Sequence, residues 1–357
     1  MMKKKILIVD DSALMRRVLC DIINADDRFE VADMARDGAE GFKLICAHKY
    51  DAVVLDVYMP KMTGLELLKE MQKSNVTANV LVASTTTKEG ARETLLALEY
   101  GALDFIQKPE NAFDIKSEKF AHRFLMLLDV VSKAGNTMFR ARMPRTTATE
   151  PRIPITPVPG RTVSHGSKII AIASSTGGPK ALQEVIPRIP KNINAPILLV
   201  QHMPKGFTKS LAERLDELSE LPVSEAVNGE QVLKGHVYVA QGGAHMKVVE
   251  KGGAQFISLT DEPTREGVKP CANYMYESLA GCSYDEVICA VLTGMGSDGT
   301  AGIKNLKSNK RIYVVAQDEA TCAVYGMPKS VVTAEHADVV VPIEQVANEI
   351  IKNVGVH

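Results

Sequence analysis

The sequence predicts an α/β protein with two doubly wound parallel-sheet domains joined by a proline-rich linker. Short β-branched runs alternate with amphipathic segments in residues 1–134, a pattern typical of parallel strands connected by helices. The same alternation begins again in residues 166–357. Between these domains, residues 135–165 contain five prolines, one acidic residue and few apolar side chains to offset ordering entropy, so a flexible linker is predicted.

The elements follow from the spacing of apolar residues. Short apolar runs predict the strands, which are KKILIV, DAVVL, NVLVA and ALDFIQ in the first domain and KIIAIA, PILLVQ, HVYVAQ, EVICAVL and RIYVVAQ in the second. Apolar residues at every third or fourth position predict the helices. These are GLELLKEMQ, ETLLALEYG and FAHRFLMLLDVVSKA in the first domain, then KALQEVIPRI, TKSLAERLDEL, NYMYESLAG and TAGIKNLK.

Polar side chains stand at the ends of the strands of the first domain. In chain order they are Asp10 and Asp11, Asp56, Ser84, and Lys108. Because the carboxyl ends of parallel strands meet at one edge of the sheet, these side chains are expected to share a pocket. Asp10 and Asp11 suit a hard cation such as Mg²⁺. Asp56 can attack phosphorus while Lys108 and Ser84 contact phosphoryl oxygens, so a phosphate-receiving site is predicted.

The motifs ILIVDDS, VVLDVYMPKMTGLELL and GALDFIQKP resemble those of the receiver domain of two-component response regulators. The resemblance covers roughly residues 3–130 and implies a flavodoxin-like fold. It implies that Asp56 is the phosphoacceptor and that Asp10 and Asp11 lie beside Mg²⁺. It also implies Ser84 as the switch hydroxyl, Lys108 as the phosphate-side cation and Phe105 as the aromatic switch residue. An ordinary core aromatic remains the alternative interpretation of Phe105.

The second domain also places chemistry at strand ends. KIIAIA leads through Ser174 and Ser175 to two glycines and a helix, which fits either a nucleophile elbow or a phosphate-cradling turn. His202 follows PILLVQ, and Asp298 lies in the loop after EVICAVL. Three neighbouring strands could therefore deliver a nucleophile, a proton carrier and an orienting acid. His245, in the loop after HVYVAQ, is the second candidate for the base and is otherwise expected on the substrate side.

The segments IASSTGGPKAL, VQHMPKGFT, VLTGMGSDGTAGI and AQDEATCAVYGMPKSV resemble the Rossmann-like catalytic domain of the chemotaxis protein-glutamate methylesterases. The resemblance implies Ser175 as nucleophile, His202 as general base and Asp298 as its orienter. It implies oxyanion donors from the main-chain amides of Thr176 and Met295, and no cofactor for hydrolysis.

It also implies what the protein acts on and what controls it. The substrates would be methyl-accepting chemotaxis receptors, whose methylated glutamates are hydrolysed and whose glutamines are deamidated. A chemotaxis histidine kinase would be the phosphodonor, and the unphosphorylated receiver would cover the active site. The sequence departs from the family at Ala173, where glycine is common, and at Asn273, where aspartate is usual.

Composition narrows the remaining classes of function. A net charge of −1 and the lack of a basic helix-turn-helix pattern argue against a nucleic-acid partner. No run of apolar residues is long enough for membrane insertion, and six scattered cysteines suggest a reducing cytoplasm. Two rivals remain, which are a phosphorylation-controlled receptor-binding protein without catalysis and a regulated esterase or amidase outside chemotaxis.

Overall fold

The computed structural model describes residues 2–85, 87–109, 117–134 and 166–355, so the predicted linker at 135–165 lies outside the described residues. The chain divides into two compact units, and the division falls between positions 143 and 144. Each unit is an α/β structure, as the sequence predicts.

The first unit is a five-stranded parallel sheet with the strand order β2-β1-β3-β4-β5. Its strands are β1 (Lys4–Val9), β2 (Phe29–Ala35), β3 (Ala52–Asp56), β4 (Val80–Ser84) and β5 (Asp104–Gln107). The helices described in this unit are α1 (Ala13–Asn24), α2 (Gly38–Ala47), α3 (Gly64–Lys73), α4 (Lys88–Glu99) and α5 (Glu118–Lys133). The order is that of the flavodoxin-like doubly wound fold, which confirms the predicted class.

The helices of the first unit begin at residues whose own side chains cap them. In each, a serine, threonine or aspartate oxygen accepts the amide hydrogen of the residue three positions later, at Ser12, Asp37, Thr63, Thr87 and Ser117. At Thr63 the cap is reciprocal, because the Glu66 carboxylate accepts the Thr63 amide. These starts are therefore encoded locally.

The second unit has a seven-stranded sheet with the order β14-β13-β12-β6-β7-β9-β8, in which every pair is parallel. The strands of this sheet are β6 (Lys168–Ser174), β7 (Ile197–Gln201), β8 (Val223–Glu225), β9 (Val237–Val239), β12 (Glu286–Val291), β13 (Arg311–Gln317) and β14 (Val339–Val341). The central strands β6, β7 and β12 are buried along their whole length, as expected of a parallel sheet covered on both faces.

Helices in the second unit start differently. Those in residues 166–355 are α6 (Gly178–Val185), α7 (Phe207–Leu218), α8 (Ala272–Ser278), α9 (Thr300–Asn309), α10 (Met327–Thr333) and α11 (Ile343–Val354). None of these six has a side-chain hydrogen bond from its own cap residue, and four start after a glycine. No helix in the described ranges combines the length and apolar character needed to cross a bilayer.

The second unit contains elements that the sequence analysis does not predict. An antiparallel hairpin, β10 (His245–Lys251) paired with β11 (Ala254–Thr260), adds to the parallel fold. Its two turn residues, Gly252 and Gly253, have positive φ values of 59° and 80°. A Gly-Gly pair between two strands is typical of a hairpin, so this element could have been predicted from the sequence. The short edge strands β8 and β14 and the helices α10 and α11 were also not predicted.

Candidate active site and phosphoacceptor site

The structure places the three predicted catalytic residues at the carboxyl ends of three adjacent strands. Ser175 follows β6, His202 follows β7, and Asp298 lies in the loop after β12. Strand β6 lies between the other two in the sheet. The last residues of β6 and β7 pair with each other, so Ser175 and His202 leave the sheet at the same level. The predicted convergence at one edge is therefore observed.

The two serines at the end of β6 have different surroundings. Ser174 is fully buried, and its hydroxyl donates to Oε1 of Gln201 at 2.7 Å. Ser175 is half-buried in the turn, and its amide donates to the carbonyl of Thr293 at 3.0 Å. The Ser174 hydroxyl is thus committed to an internal hydrogen bond, which favours Ser175 as the nucleophile.

The turn after Ser175 resolves the choice between an elbow and a phosphate cradle. Gly177 has a φ of 75°, and a Cβ atom at Gly178 would overlap Oε1 of Gln201, so both positions require glycine. The Gly178 amide donates to the Ser175 carbonyl, and Pro179 has no N–H. The start of α6 therefore offers few donors to a phosphate, and the nucleophile turn fits better.

Ala173 carries no strain. Non-glycine residues with positive φ in the described ranges are Lys61, Asn75, Glu266 and Glu335. Ala173 is therefore in ordinary extended backbone inside β6, where it pairs with Val200 on one side and Val291 on the other. The departure from glycine at this position has no conformational cost.

His202 and Asp298 form a close polar pair. The Nε2 atom of His202 lies 2.7 Å from Oδ2 of Asp298, and the two side chains are 9% and 3% exposed. Asp298 also accepts hydrogen bonds from the amides of Ala272 at 2.6 Å and Asn273 at 2.9 Å, and from the Cys271 thiol at 3.0 Å. Four donors thus surround one carboxylate.

These donors set the charge state of Asp298. Burial by itself would raise the pKa of its carboxyl group, but the hydrogen bonds from His202, Cys271 and the Ala272 amide outweigh burial and lower the pKa. Burial, together with the Asp298 charge, raises the pKa of the Cys271 thiol to about 12. The carboxylate therefore stays ionised and the thiol stays protonated as its donor.

The predicted oxyanion residues lie beside Ser175. Thr176 follows it directly, and the Thr176 carbonyl accepts a hydrogen bond from the Thr293 hydroxyl at 2.9 Å. Met295 follows Gly294, where a Cβ atom would approach the Cβ of Ser175 to 2.7 Å. The loop that carries Met295 is thus packed directly against Ser175.

His245 does not belong to this cluster. It is fully buried at the start of β10, its Nε2 lies 3.1 Å from the Pro263 carbonyl, and its ring packs on Tyr274 at 4.5 Å between centroids. Burial lowers the pKa of His245. Its contacts are those of a core residue of the hairpin, and they favour His202 as the base.

In the first unit, the predicted phosphate-site residues also meet at one edge. The Lys108 ammonium lies 2.8 Å from Asp10 and 2.7 Å from Asp56. Burial, reinforced by the Asp10 charge and only partly opposed by Lys108, raises the pKa of Asp56 to about 6. The carboxylates of Asp10, Asp11 and Asp56 share a site, in which the Lys108 ammonium contacts Asp10 and Asp56.

This cluster fits a divalent cation. One carboxylate oxygen from each of Asp10, Asp11 and Asp56 lies within 4.8 Å of the others. Asp11 is exposed and the other two are buried. Oxygen ligands of this kind suit Mg²⁺, which retains several waters.

Ser84 and Phe105 are buried in their strands. The Ser84 hydroxyl accepts a hydrogen bond from the Thr94 hydroxyl at 2.5 Å and donates to the Gly90 carbonyl at 3.2 Å. Both partners belong to α4, so the predicted switch hydroxyl is connected to that helix. Phe105 is 5% exposed in β5, which is compatible with either interpretation of this aromatic.

Sequence reasoning missed the contacts that other residues make with Ser175, His202 and Asp298. Gln201 donates to the carbonyls of Ser175 at 2.9 Å and His202 at 3.3 Å. A polar residue ending an apolar strand was a usable signal for Gln201. Cys271 and Asn273 contact Asp298 from 25 or more residues away, and nothing in their spacing indicates this.

Comparisons with known proteins give a family match for each of the two units. Residues 170–350 match the family model described as CheB methylesterase, and residues 6–118 match the response regulator receiver domain. A protein-glutamate methylesterase/protein-glutamine glutaminase of Geobacillus kaustophilus is 39% identical over 98% of this chain and 99% of its own length. Its counterpart in Bacillus subtilis is 38% identical over 97% of each chain.

A solved structure resembles the second unit. The crystal structure of the Thermotoga maritima CheB methylesterase catalytic domain is 44% identical, with a TM-score of 0.51, and covers 52% of this chain and 98% of that one. Together with the matches over nearly the full length, this shows the family. The chain belongs to the CheB methylesterases, the protein-glutamate methylesterase/protein-glutamine glutaminase family, and carries a response regulator receiver domain ahead of its methylesterase domain.

Proposed function

We propose that the second domain hydrolyses methyl esters of glutamates on chemotaxis receptors with Ser175, His202 and Asp298 as its catalytic residues. The observation that carries the proposal is their delivery by three adjacent strands, with His202 and Asp298 2.7 Å apart. Serine, histidine and acid sets are recognised by such geometry rather than by their order in the chain.

Ser175 Oγ attacks the γ-carbonyl of the glutamyl ester, and His202 takes the serine proton. Because Nε2 of His202 faces Asp298, Nδ1 is the ring nitrogen left for this exchange. His202 then gives the proton to the departing methoxide, which leaves as methanol. Water, deprotonated by His202, releases the glutamyl acyl-enzyme and restores the serine hydroxyl.

The amides of Thr176 and Met295 serve as donors to the tetrahedral oxyanion. Their support is the position of Thr176 next to the nucleophile and the packing of Gly294 against Ser175. A glutamine side chain differs from the ester only in its leaving group, so the same site deamidates receptor glutamines and releases ammonia. All of these steps use side chains, main-chain amides and water.

The first domain controls this activity through Asp56. A chemotaxis histidine kinase supplies the phosphoryl group, which Asp56 accepts while Lys108 contacts a phosphoryl oxygen. Asp10, Asp11 and Asp56 would hold Mg²⁺, which would supply neutralisation of the phosphoryl charge at this site. The Ser84 hydroxyl, which bonds to α4 in this structure, then donates a hydrogen bond to the acyl phosphate instead. This change relieves the inhibition of the second domain.

The test is methanol release from methylated receptor fragments, followed by mass spectrometry of the receptor peptides. Ser175→Ala should lose activity by about 10³-fold or more, because the hydroxyl forms the covalent bond. Ser174→Ala is the matched control and should keep most of its turnover. Activity that survives in Ser175→Ala but disappears in Ser174→Ala would move the nucleophile. Unchanged peptides with the wild-type protein would favour a receptor-binding role without catalysis.

A further inference from the structure

The catalytic carboxylate sits in a reciprocal arrangement between helices α8 and α9. Asp298, just before α9, accepts the amides of Ala272 and Asn273 at the start of α8. In return, Oδ1 of Asn273 accepts the amides of Gly299 at 3.1 Å and Gly302 at 2.6 Å at the start of α9. Each helix therefore receives its cap from the other, and neither has a side-chain cap of its own.

Asn273 depends in turn on Glu266. The Nδ2 atom of Asn273 donates to Oε1 of Glu266 at 2.7 Å, and the other Glu266 oxygen accepts from the Ser297 hydroxyl at 2.8 Å. Two main-chain donors fix which end of the amide is the acceptor, so Nδ2 must face Glu266. Asn273 is fully buried, and it satisfies both ends of its side chain in this way.

We propose that Asn273 and Glu266 form a matched pair of positioning residues that hold Asp298, and through it His202, in working geometry. Resting on the proposed function, this assigns a positioning role to the buried Asn273 side chain. Asn273 touches Asp298 through its amide, and its side chain and Glu266 fix the flanking residues Gly299 and Ser297.

The pair explains why asparagine rather than aspartate suits position 273 in this chain. An aspartate could still accept the amides of Gly299 and Gly302, but its second oxygen would face the Glu266 carboxylate at hydrogen-bond distance. Two carboxylates that share one site repel unless one takes a proton. Replacing Glu266 by glutamine removes the conflict, because its amide can donate to the aspartate while its oxygen accepts from Ser297.

The experiment is a double-mutant cycle on the full-length protein, read by kcat, KM and the pH profile of methanol release. Asn273→Asp should lower kcat by about 10- to 100-fold with little change in KM, and Glu266→Gln by about two- to fivefold. The double variant should recover to within about fivefold of wild type. Asn305→Asp, the same change at an exposed position of α9, is the control and should retain activity.

The pH profile separates positioning from general packing. The extra negative charge in Asn273→Asp should move the acidic limb of kcat/KM to higher pH. The double variant carries the wild-type net charge, so its limb should return toward the wild-type value. A structural defect alone would lower kcat without this movement and its reversal.

Several outcomes would overturn the pairing. They are an Asn273→Asp variant within twofold of wild type, or a double variant no better than Asn273→Asp alone. If Asn273→Asp does not fold, a folded and active double variant supports the pair, whereas an unfolded one rejects it. Wild-type and Ser175→Ala proteins are measured in parallel. An inactive wild type or an active Ser175→Ala rejects the proposed function along with the pair, whereas failure of the cycle alone rejects only the pair.

Discussion

Asp56 and Asp298 are both buried carboxylates at the carboxyl edge of a parallel sheet, yet their surroundings are opposite. Asp298 receives four hydrogen-bond donors, and its pKa is lowered. Asp56 shares the Lys108 ammonium with Asp10, and its pKa is raised to about 6. The same edge of the same kind of sheet therefore holds one carboxylate satisfied by its hydrogen-bond donors and one that shares its cation with a second carboxylate.

The contrast corresponds to two kinds of work. A carboxylate that orients a histidine must remain fixed and ionised throughout the reaction, and a full set of donors achieves this. A carboxylate that binds a cation and then accepts a phosphoryl group needs free lone pairs and nearby negative charge. The Asp10 and Asp56 carboxylates repel each other. Because a bound cation removes this repulsion, the repulsion favours cation binding.

The largest expected effect comes from breaking the satisfied site. Asp298→Asn should reduce turnover by on the order of 10³- to 10⁴-fold, because an amide cannot hold the imidazole tautomer that the serine needs. Asp56→Asn should leave basal turnover unchanged. Initial rates of methanol release from both variants make the comparison. An Asp298→Asn enzyme within tenfold of wild type would contradict the role given to this acid.

The next effect concerns regulation. Asp56→Asn should abolish all stimulation by a small-molecule phosphodonor with Mg²⁺, because an amide cannot form the acyl phosphate. Asp27→Asn, at an exposed carboxylate of the same domain, should respond like wild type. Turnover with and without phosphodonor tests this, and stimulation that persists in Asp56→Asn would place the phosphoacceptor elsewhere.

Stability should change in opposite directions at the two sites. Asp298→Asn should destabilise its own domain by about 2–4 kcal/mol at pH 7.5, because the NH₂ group of the new asparagine must face at least one of the hydrogen-bond donors around this position. Asp56→Asn should stabilise the first domain by about 1–3 kcal/mol without divalent cations. The substitution removes a buried negative charge that destabilises the fold, as the raised pKa of Asp56 indicates. Hydrogen exchange of peptides from each domain separates the two effects. Changes of the same sign would contradict the comparison.

The smallest effect is the pH dependence of that stabilisation. A carboxyl group with a raised folded pKa weakens the fold above that pKa, and the penalty vanishes below its unfolded value. The stabilisation by Asp56→Asn should therefore be full above pH 7, decline between about pH 6 and pH 4, and be absent below. Saturating Mg²⁺ should suppress it at every pH. Unfolding curves at several pH values, with and without Mg²⁺, measure this, and a pH-independent difference would count against the raised pKa.

Much of both sites could be predicted from the sequence, because most of the site residues end an apolar strand or directly follow one. Parallel strands end at one edge of their sheet, so Asp56 could be placed with Lys108 in the first unit, and Ser175 with His202 in the second, without coordinates. The strand-end pattern by itself does not choose between Ser174 and Ser175. The family resemblance favours Ser175, and the structure adds support because the Ser174 hydroxyl is bonded to Gln201. The substrate-side role of His245 stays a prediction, and the structure adds that this residue is buried in a hairpin that the sequence analysis does not predict.

The two domains also differ in how far local sequence determines their helices. In the first domain, the local sequence determines where the helices after Ser12 and Thr63 begin, because each cap is completed by the amide of a residue three positions later. In the second, α8 and α9 receive their caps from Asp298 and Asn273, 25 residues apart. The sequence alone determined the fold class and the strands that lead to the predicted site residues. Only the tertiary structure decided what holds them, because donors and acceptors distant in sequence meet only after the sheet has formed.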